Sequence, residues 1–216
     1  MNLINLKPML FDIETSALSD AELDKVKPPF QAPANYKDAA KIAANIAEQE
    51  AEWKARAALS PITGRVLAFG YESFDFDIIA DDDEKTLLEQ VWMMFNNNLS
   101  ASIKVVGFNI FGFDLPFLIK RSWSLGVTVP RIVGGWSGRY WNWNEDIIDL
   151  RLVWQMGDRQ AHGSLDDISK FFGASGKMGS GKDFAALWQT DREKAVTYLK
   201  TDLALSKLLY ERMFGN

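Results

Sequence analysis

Apolar residues gather in short runs over the first half of the chain and spread to helical spacing over the second. The run Met9-Leu10-Phe11 leads into Asp12 and predicts a strand over 7–12. Residues 19–33 are polar and contain proline, which predicts loop. The Ala- and charge-rich stretch 36–59 has high helix propensity, and Ile42, Ile46 and Trp53 fall near one stripe. Val66, Ala68 and Tyr71 lie in a β-rich run that turns near Glu72-Ser73 and returns over 74–80, a hairpin. Acids at 81–84 open a helix near 83–97. Residues 102–109 form a short apolar strand. A helix over 113–126 follows, with Pro116 in its first turn and Gly126 as C-cap. A Trp-rich hairpin or loop occupies 131–149. The stretch 164–188 reads as helix, glycine loop, helix, and 191–213 as a last helix.

Strands come early and helices late, in an opening βββαβα order. That order predicts an α/β fold with a mixed sheet flanked by helices. At 216 residues one core is expected, so 1–216 is taken as a single domain with a helical excursion at about 19–59.

Composition narrows the chemistry. There is no cysteine, which excludes disulfides and thiolate metal sites and suits a reducing cytoplasm. No basic N-terminal region precedes a long apolar core, and no apolar run approaches ~20 residues, so neither a signal peptide nor a membrane span is expected. The net charge of −5 argues against a nucleic-acid partner, yet the halves differ. Residues 1–100 carry −8 and residues 101–216 carry +3, so the C-terminal half could face phosphates.

Three stretches carry the chemistry. In "MLFDIETSAL" Asp12 and Glu14 are two apart on a strand end and point to the same side. Like charges that close repel by ~1 kcal/mol at 4 Å in water, and a divalent cation would offset this. In "VVGFNIFGFDLPFL" an apolar strand ends, a turn holds Asn109 and Gly112, and Asp114 opens a helix. In "AVTYLKTDLALSKLL" Tyr198 and Asp202 are four apart and share a helix face.

Together these stretches resemble the DnaQ-like 3′–5′ exonucleases, in the branch with tyrosine in its third motif. The pattern Asp-x-Glu, Asn-x-x-x-(Phe/Tyr)-Asp, Tyr-x-x-x-Asp is met by Asp12 and Glu14, then Asn109 through Phe113 and Asp114, then Tyr198 through Asp202. "FDIET" and "GFNIFGFDLPFL" are most similar to the proofreading domain of family B DNA polymerases, and "SLDDISKFFGASGK" resembles the helix between motifs two and three. The resemblance covers nearly the whole chain; the excursion at 19–59 departs from it.

The resemblance implies an RNase H-like fold and two divalent ions, Mg²⁺ or Mn²⁺. Asp12 would bridge them, Glu14 and Asp202 would complete the first, and Asp114 would serve the second. Tyr198 would orient the attacking water, because a phenol of pKa ≈ 10 is a poor base. Thr15, Asn109 and Phe113 would contact the terminal nucleotides. The substrate implied is single-stranded DNA or a DNA 3′ end, with RNA as the alternative of an RNase D-like exoribonuclease. Partners would be replication or repair proteins and not membranes. With no polymerase domain following, the expectation is a free-standing nuclease in the cytoplasm, of the host if phage-encoded.

Other readings compete. A catalytically silent binding module on the same fold would be expected to lack one of the acids, and all four are present. His162 and Asp167 fit the His-x-x-x-x-Asp motif of the other DnaQ-like branch, but the alternative is a helix capped by Ser164 with Asp167 completing a capping box. "GKMGSGKD", 176–183, nearly matches a phosphate loop, but Asp183 stands where the metal-binding hydroxyl belongs; a basic loop through Lys177 and Lys182 is the alternative. The stretch "WSGRYWNW" interleaves Trp136, Trp141 and Trp143 with Arg139, as base-stacking surfaces do, or as core does.

Overall fold

The computed structural model describes residues 7–138, 140–158, 160–176 and 184–215. Arg139, Lys177 and Lys182 lie outside the described residues, and with them most of the glycine loop. Two compact units divide the chain: residues 15–65 form one, and the flanking segments 1–14 and 66–216 form the other.

The larger unit is built on a five-stranded mixed sheet. Its strands are β1 (Met9–Ala17), β2 (Gly64–Glu72), β3 (Phe76–Ile79), β4 (Val105–Gly107) and β7 (Ile147–Asp149), in the order β3-β2-β1-β4-β7. β1, β4 and β7 run parallel, with Met9 opposite Val105 and Val105 opposite Ile147, while β2 and β3 are antiparallel. This is the expected α/β class. β7 was not expected: three residues inside the Trp-rich segment carry too little alternation to announce a strand.

β1 is the central strand and is buried on both faces. Met9, Phe11 and Ile13 enter one core with α3 (Glu84–Ser100) and α4 (Asp114–Leu125). Phe11 stacks on Phe69 at 5.3 Å and meets Phe95 edge-on at 5.1 Å. Leu10 faces the other side, in a core with Leu203, Leu205 and Leu209 of α8 (Arg192–Phe214) and with Leu165 and Ile168 of α6 (Leu165–Phe171). Period-two alternation therefore puts Asp12 and Glu14 on the α8 side. α8 lies close to the sheet because of Gly70, where a Cβ would come within 2.6 Å of the Leu199 side chain.

Between α4 and β7 an antiparallel hairpin joins β5 (Gly134–Trp136) to β6 (Trp141–Trp143). Its aromatic rings pack against one another and their neighbours: Trp143 stacks on Phe111 at 4.8 Å and Trp141 lies 6.3 Å from Trp123, while Trp136 stays exposed. The stretch thus divides between packing and exposure. α5 (Leu150–Gln155) follows β7, and α7 (Phe184–Thr190) precedes α8.

The smaller unit corrects one expectation. Residues 19–33 are not all loop: α1 (Asp20–Val26) begins at Ser19, whose hydroxyl and backbone N–H both reach Glu22 in a capping box. The signal Ser-x-x-Glu was present, but the prolines downstream obscured it. α2 (Ala39–Ala55) starts at Asp38, whose carboxylate accepts from the backbone N–H groups of Ala40 and Lys41. No α2 residue is fully buried, and the stripe of Ile42, Ile46 and Trp53 is half-buried. Phe30 meets Trp53 edge-on at 6.1 Å, and Lys27 pairs with Glu50 at 2.5 Å. Thr63 donates to the Ala57 carbonyl at 2.8 Å to close the unit.

Candidate active site

Three carboxylates converge where β1 passes α8. One oxygen from each of Asp12, Glu14 and Asp202 lies within 4.8 Å of the other two, and Glu14 and Asp202 are buried. The convergence follows from local geometry. Alternation aims Asp12 and Glu14 together, and the packing of Leu199, Leu203 and Leu209 turns the Tyr198–Asp202 face of α8 towards them. Three acids this close, two removed from water, repel strongly. An all-oxygen set suits a hard divalent cation, so the residues fit the ions that the resemblance implies.

Tyr198 stands beside the trio. Burial, then the charges of Asp202 and Glu14, a hydrogen bond to Asp202 and the charge of Asp12, push its phenol far above its usual pKa. It therefore stays protonated at any working pH. Phe184 of α7 lies 6.1 Å from its ring.

Asp114 is not one of the three with oxygens within 4.8 Å. It is buried at the first turn of α4, and its Oδ1 accepts from the backbone N–H of Ile13, between Asp12 and Glu14, at 3.1 Å. Burial, and then the charge of Asp12, raise its pKa well above the usual carboxyl value, with Asp149 adding to this. A proton is thus held in the folded chain that the unfolded chain would release near pH 4. In chelator, stability should fall as pH rises above about 4, by up to ~1.4 kcal/mol per pH unit from this group until its folded pKa is passed. Asp114→Asn, which keeps an oxygen for the Ile13 N–H, should flatten that decline. Urea titrations of both proteins across pH check it, and parallel profiles would contradict it.

The three residues expected to meet substrate are placed differently. Asn109 occupies the turn after β4 with a positive φ of 62°, and its carbonyl accepts from the N–H groups of Gly112 and Phe113. Gly107 permits that turn and the approach of β1, since a Cβ there would come within 2.4 Å of the Ile110 side chain and 2.8 Å of the Phe11 carbonyl. Phe113 is half-buried, with its ring 5.5 Å from Phe117. Thr15, in the smaller unit, donates its hydroxyl to the Ala58 carbonyl at 2.7 Å. His162 is exposed and outside the carboxylate group, and Asp167 caps α6 through Ser164.

Residues 61–215 match the family described as predicted 3′–5′ exonucleases related to the exonuclease domain of PolB. The chain belongs to this family. The match begins after Asp12 and Glu14, so β1 and residues 15–60 of the smaller unit lie outside it. The fold is also similar to part of a family B DNA polymerase from the hyperthermophilic archaeon Pyrobaculum calidifontis, with a TM-score of 0.63 and 16% identity. That superposition covers 97% of this chain and 24% of the polymerase, so the chain spans about a quarter of its length. No curated protein matches. The chain has an RNase H-like mixed sheet, with Asp12 and Glu14 within its central strand, β1. Among the described residues no helix is long and apolar enough to cross a membrane.

Proposed function

We propose that this PolB-related exonuclease hydrolyses DNA from the 3′ end and releases nucleoside 5′-monophosphates, acting in the cytoplasm with residues 1–216 as one exonuclease domain. The observation that carries the reading is the meeting of Asp12, Glu14 and Asp202 beside a protonated Tyr198. Asp12, Glu14 and Asp202 would hold one divalent ion, Mg²⁺ or Mn²⁺, and Asp12 with Asp114 a second. Bound there, such ions would lower the pKa of a coordinated water and offset charge on the phosphate.

The chain's own groups divide the remaining work. Tyr198 is hydrogen-bonded to Asp202, which leaves its oxygen lone pairs to accept from a water and aim it. Attack forms the new P–O bond and breaks the P–O3′ bond, leaving a 3′-hydroxyl on the shortened strand. Asn109, Phe113 and the Thr15 backbone would hold the terminal nucleotides. Replication or repair proteins would be its partners.

Digestion of end-labelled DNA and RNA of one sequence, with Mg²⁺, Mn²⁺ or chelator, tests this. Single-stranded DNA should shorten from its 3′ end only with metal. Undiminished activity in excess chelator would end the reading, and a clear preference for RNA would move it to an exoribonuclease. In the same assay Tyr198→Phe should slow turnover on the order of a hundredfold, the size of losing one aligned polar group, with strand binding unchanged. The same loss from His162→Ala instead would reassign the third motif.

A further inference from the structure

Two residues outside the motifs hold the turn that carries Asn109. Asp149, at the end of β7, is 4% exposed. Its Oδ1 accepts from the backbone N–H groups of Asn109 and Arg151, both at 2.9 Å, and its Oδ2 from that of Phe111 at 2.9 Å. A non-glycine residue at positive φ is sparsely populated and needs such support. Arg151 then reaches back, and its Nη1 donates to Asn109 Oδ1 at 2.9 Å.

That last bond fixes the polarity of an otherwise ambiguous amide. A guanidinium has donors and no acceptor, so the oxygen of Asn109 must face Arg151 and its nitrogen must face away. Among the described residues no acceptor meets that nitrogen. Two N–H donors beside a permanent cation suit an anionic acceptor.

We propose that Arg151, seated by Asp149, is a positioning residue of the strand-binding subsite: it aims the Asn109 amide nitrogen at a phosphate oxygen of the bound strand and draws that phosphate in by its own charge. This rests on the exonuclease reading and adds the chemical group that is recognised. A base edge offers donors and acceptors in an order that varies with sequence, whereas every linkage offers the same acceptor. The subsite therefore grips a strand without regard to sequence.

The test uses the full chain and single-stranded oligonucleotides in which each of the last three linkages is replaced in turn by a neutral methylphosphonate. Anisotropy in an Asp12→Ala background reads binding with the strand intact. One linkage should stand out, its replacement weakening binding about tenfold, as loss of one charge-assisted contact does. Arg151→Ala should weaken binding of the unmodified strand about as much, and the two changes together no more than either alone. Arg151→Lys should recover part of the loss, since it keeps the charge without the fork. In the Asp12-intact enzyme the Arg151→Ala defect should fall on KM and leave kcat unchanged. Normal binding by Arg151→Ala, or losses that multiply, would overturn the proposal. Should Arg151→Ala fail to fold, the methylphosphonate series alone decides, and three equivalent linkages overturn it. Failure of the exonuclease reading would look different: no turnover by the unaltered protein with either metal, with the binding comparison intact.

Discussion

Asp12→Ala is expected to lower turnover by about a thousandfold or more while leaving the fold in place. Asp12 stands in the carboxylate trio, and its charge also acts on Asp114 and Tyr198. Removing it would take away the carboxylate proposed to serve both ions. Several kcal/mol of charge stabilisation in the transition state go with it, and each ~1.4 kcal/mol is a factor of ten in rate. Stability should move the other way. In chelator the alanine variant has one charge fewer beside Glu14, Asp202 and Asp114, and relief of repulsion on the order of 1 kcal/mol should keep its unfolding midpoint at or above that of the unaltered protein. Added Mn²⁺ should then raise the midpoint of the unaltered protein, through binding to the folded state, and leave the variant's nearly unmoved. Thermal unfolding with and without Mn²⁺, beside the digestion assay, measures both. Near-normal turnover, or an equal response to Mn²⁺ in the two proteins, would remove Asp12 from the centre of the site.

Much of this was legible in the residues, and the rest was not for identifiable reasons. Alternation along β1 places Asp12 with Glu14, and the helical repeat places Tyr198 with Asp202, so each pair could be read locally. That the pairs meet across nearly two hundred positions depends on how α8 lies on the sheet, and no local spacing contains that; the family resemblance supplied it. Asp149 and Arg151 show the limit. Asp149 ends the apolar pair Ile147-Ile148 much as Asp12 follows Leu10-Phe11, but the Trp-rich surroundings hid the strand. Its partners, the N–H groups of Asn109 and Phe111, are some 40 residues away and exist only once β4 and β7 pair. α1 is hidden for another reason: the capping box of Ser19 and Glu22 marks its start, but Pro28, Pro29 and Pro33 follow closely and give the stretch the composition of a loop.

Arg121→Met should be the most destabilising change away from the acids, by about 3–5 kcal/mol of a total of ~5–15. Glu84 opens α3 and looks like an acid placed for the helix dipole. In the fold it does more. Its Oε1 accepts from the backbone N–H of Val66 at 2.8 Å, and Arg121 of α4 meets both its oxygens, Nε at 2.9 and 3.2 Å and Nη2 at 2.5 Å. Both side chains are buried. Methionine fills most of the arginine's volume but leaves a buried carboxylate with no cation, which is where the loss arises. Changing Glu84→Gln in addition keeps an acceptor for the Val66 N–H and removes the stranded charge, so the double variant should be more stable than Arg121→Met alone. The pair also bears on chemistry, because α4 begins at Asp114 and rests on α3 through this bridge. Loosening it should reduce metal-dependent stabilisation in Arg121→Met and restore part of it in the double variant. Urea unfolding with and without Mn²⁺ reads both effects; additive destabilisation would mean that the two side chains do not act as a pair.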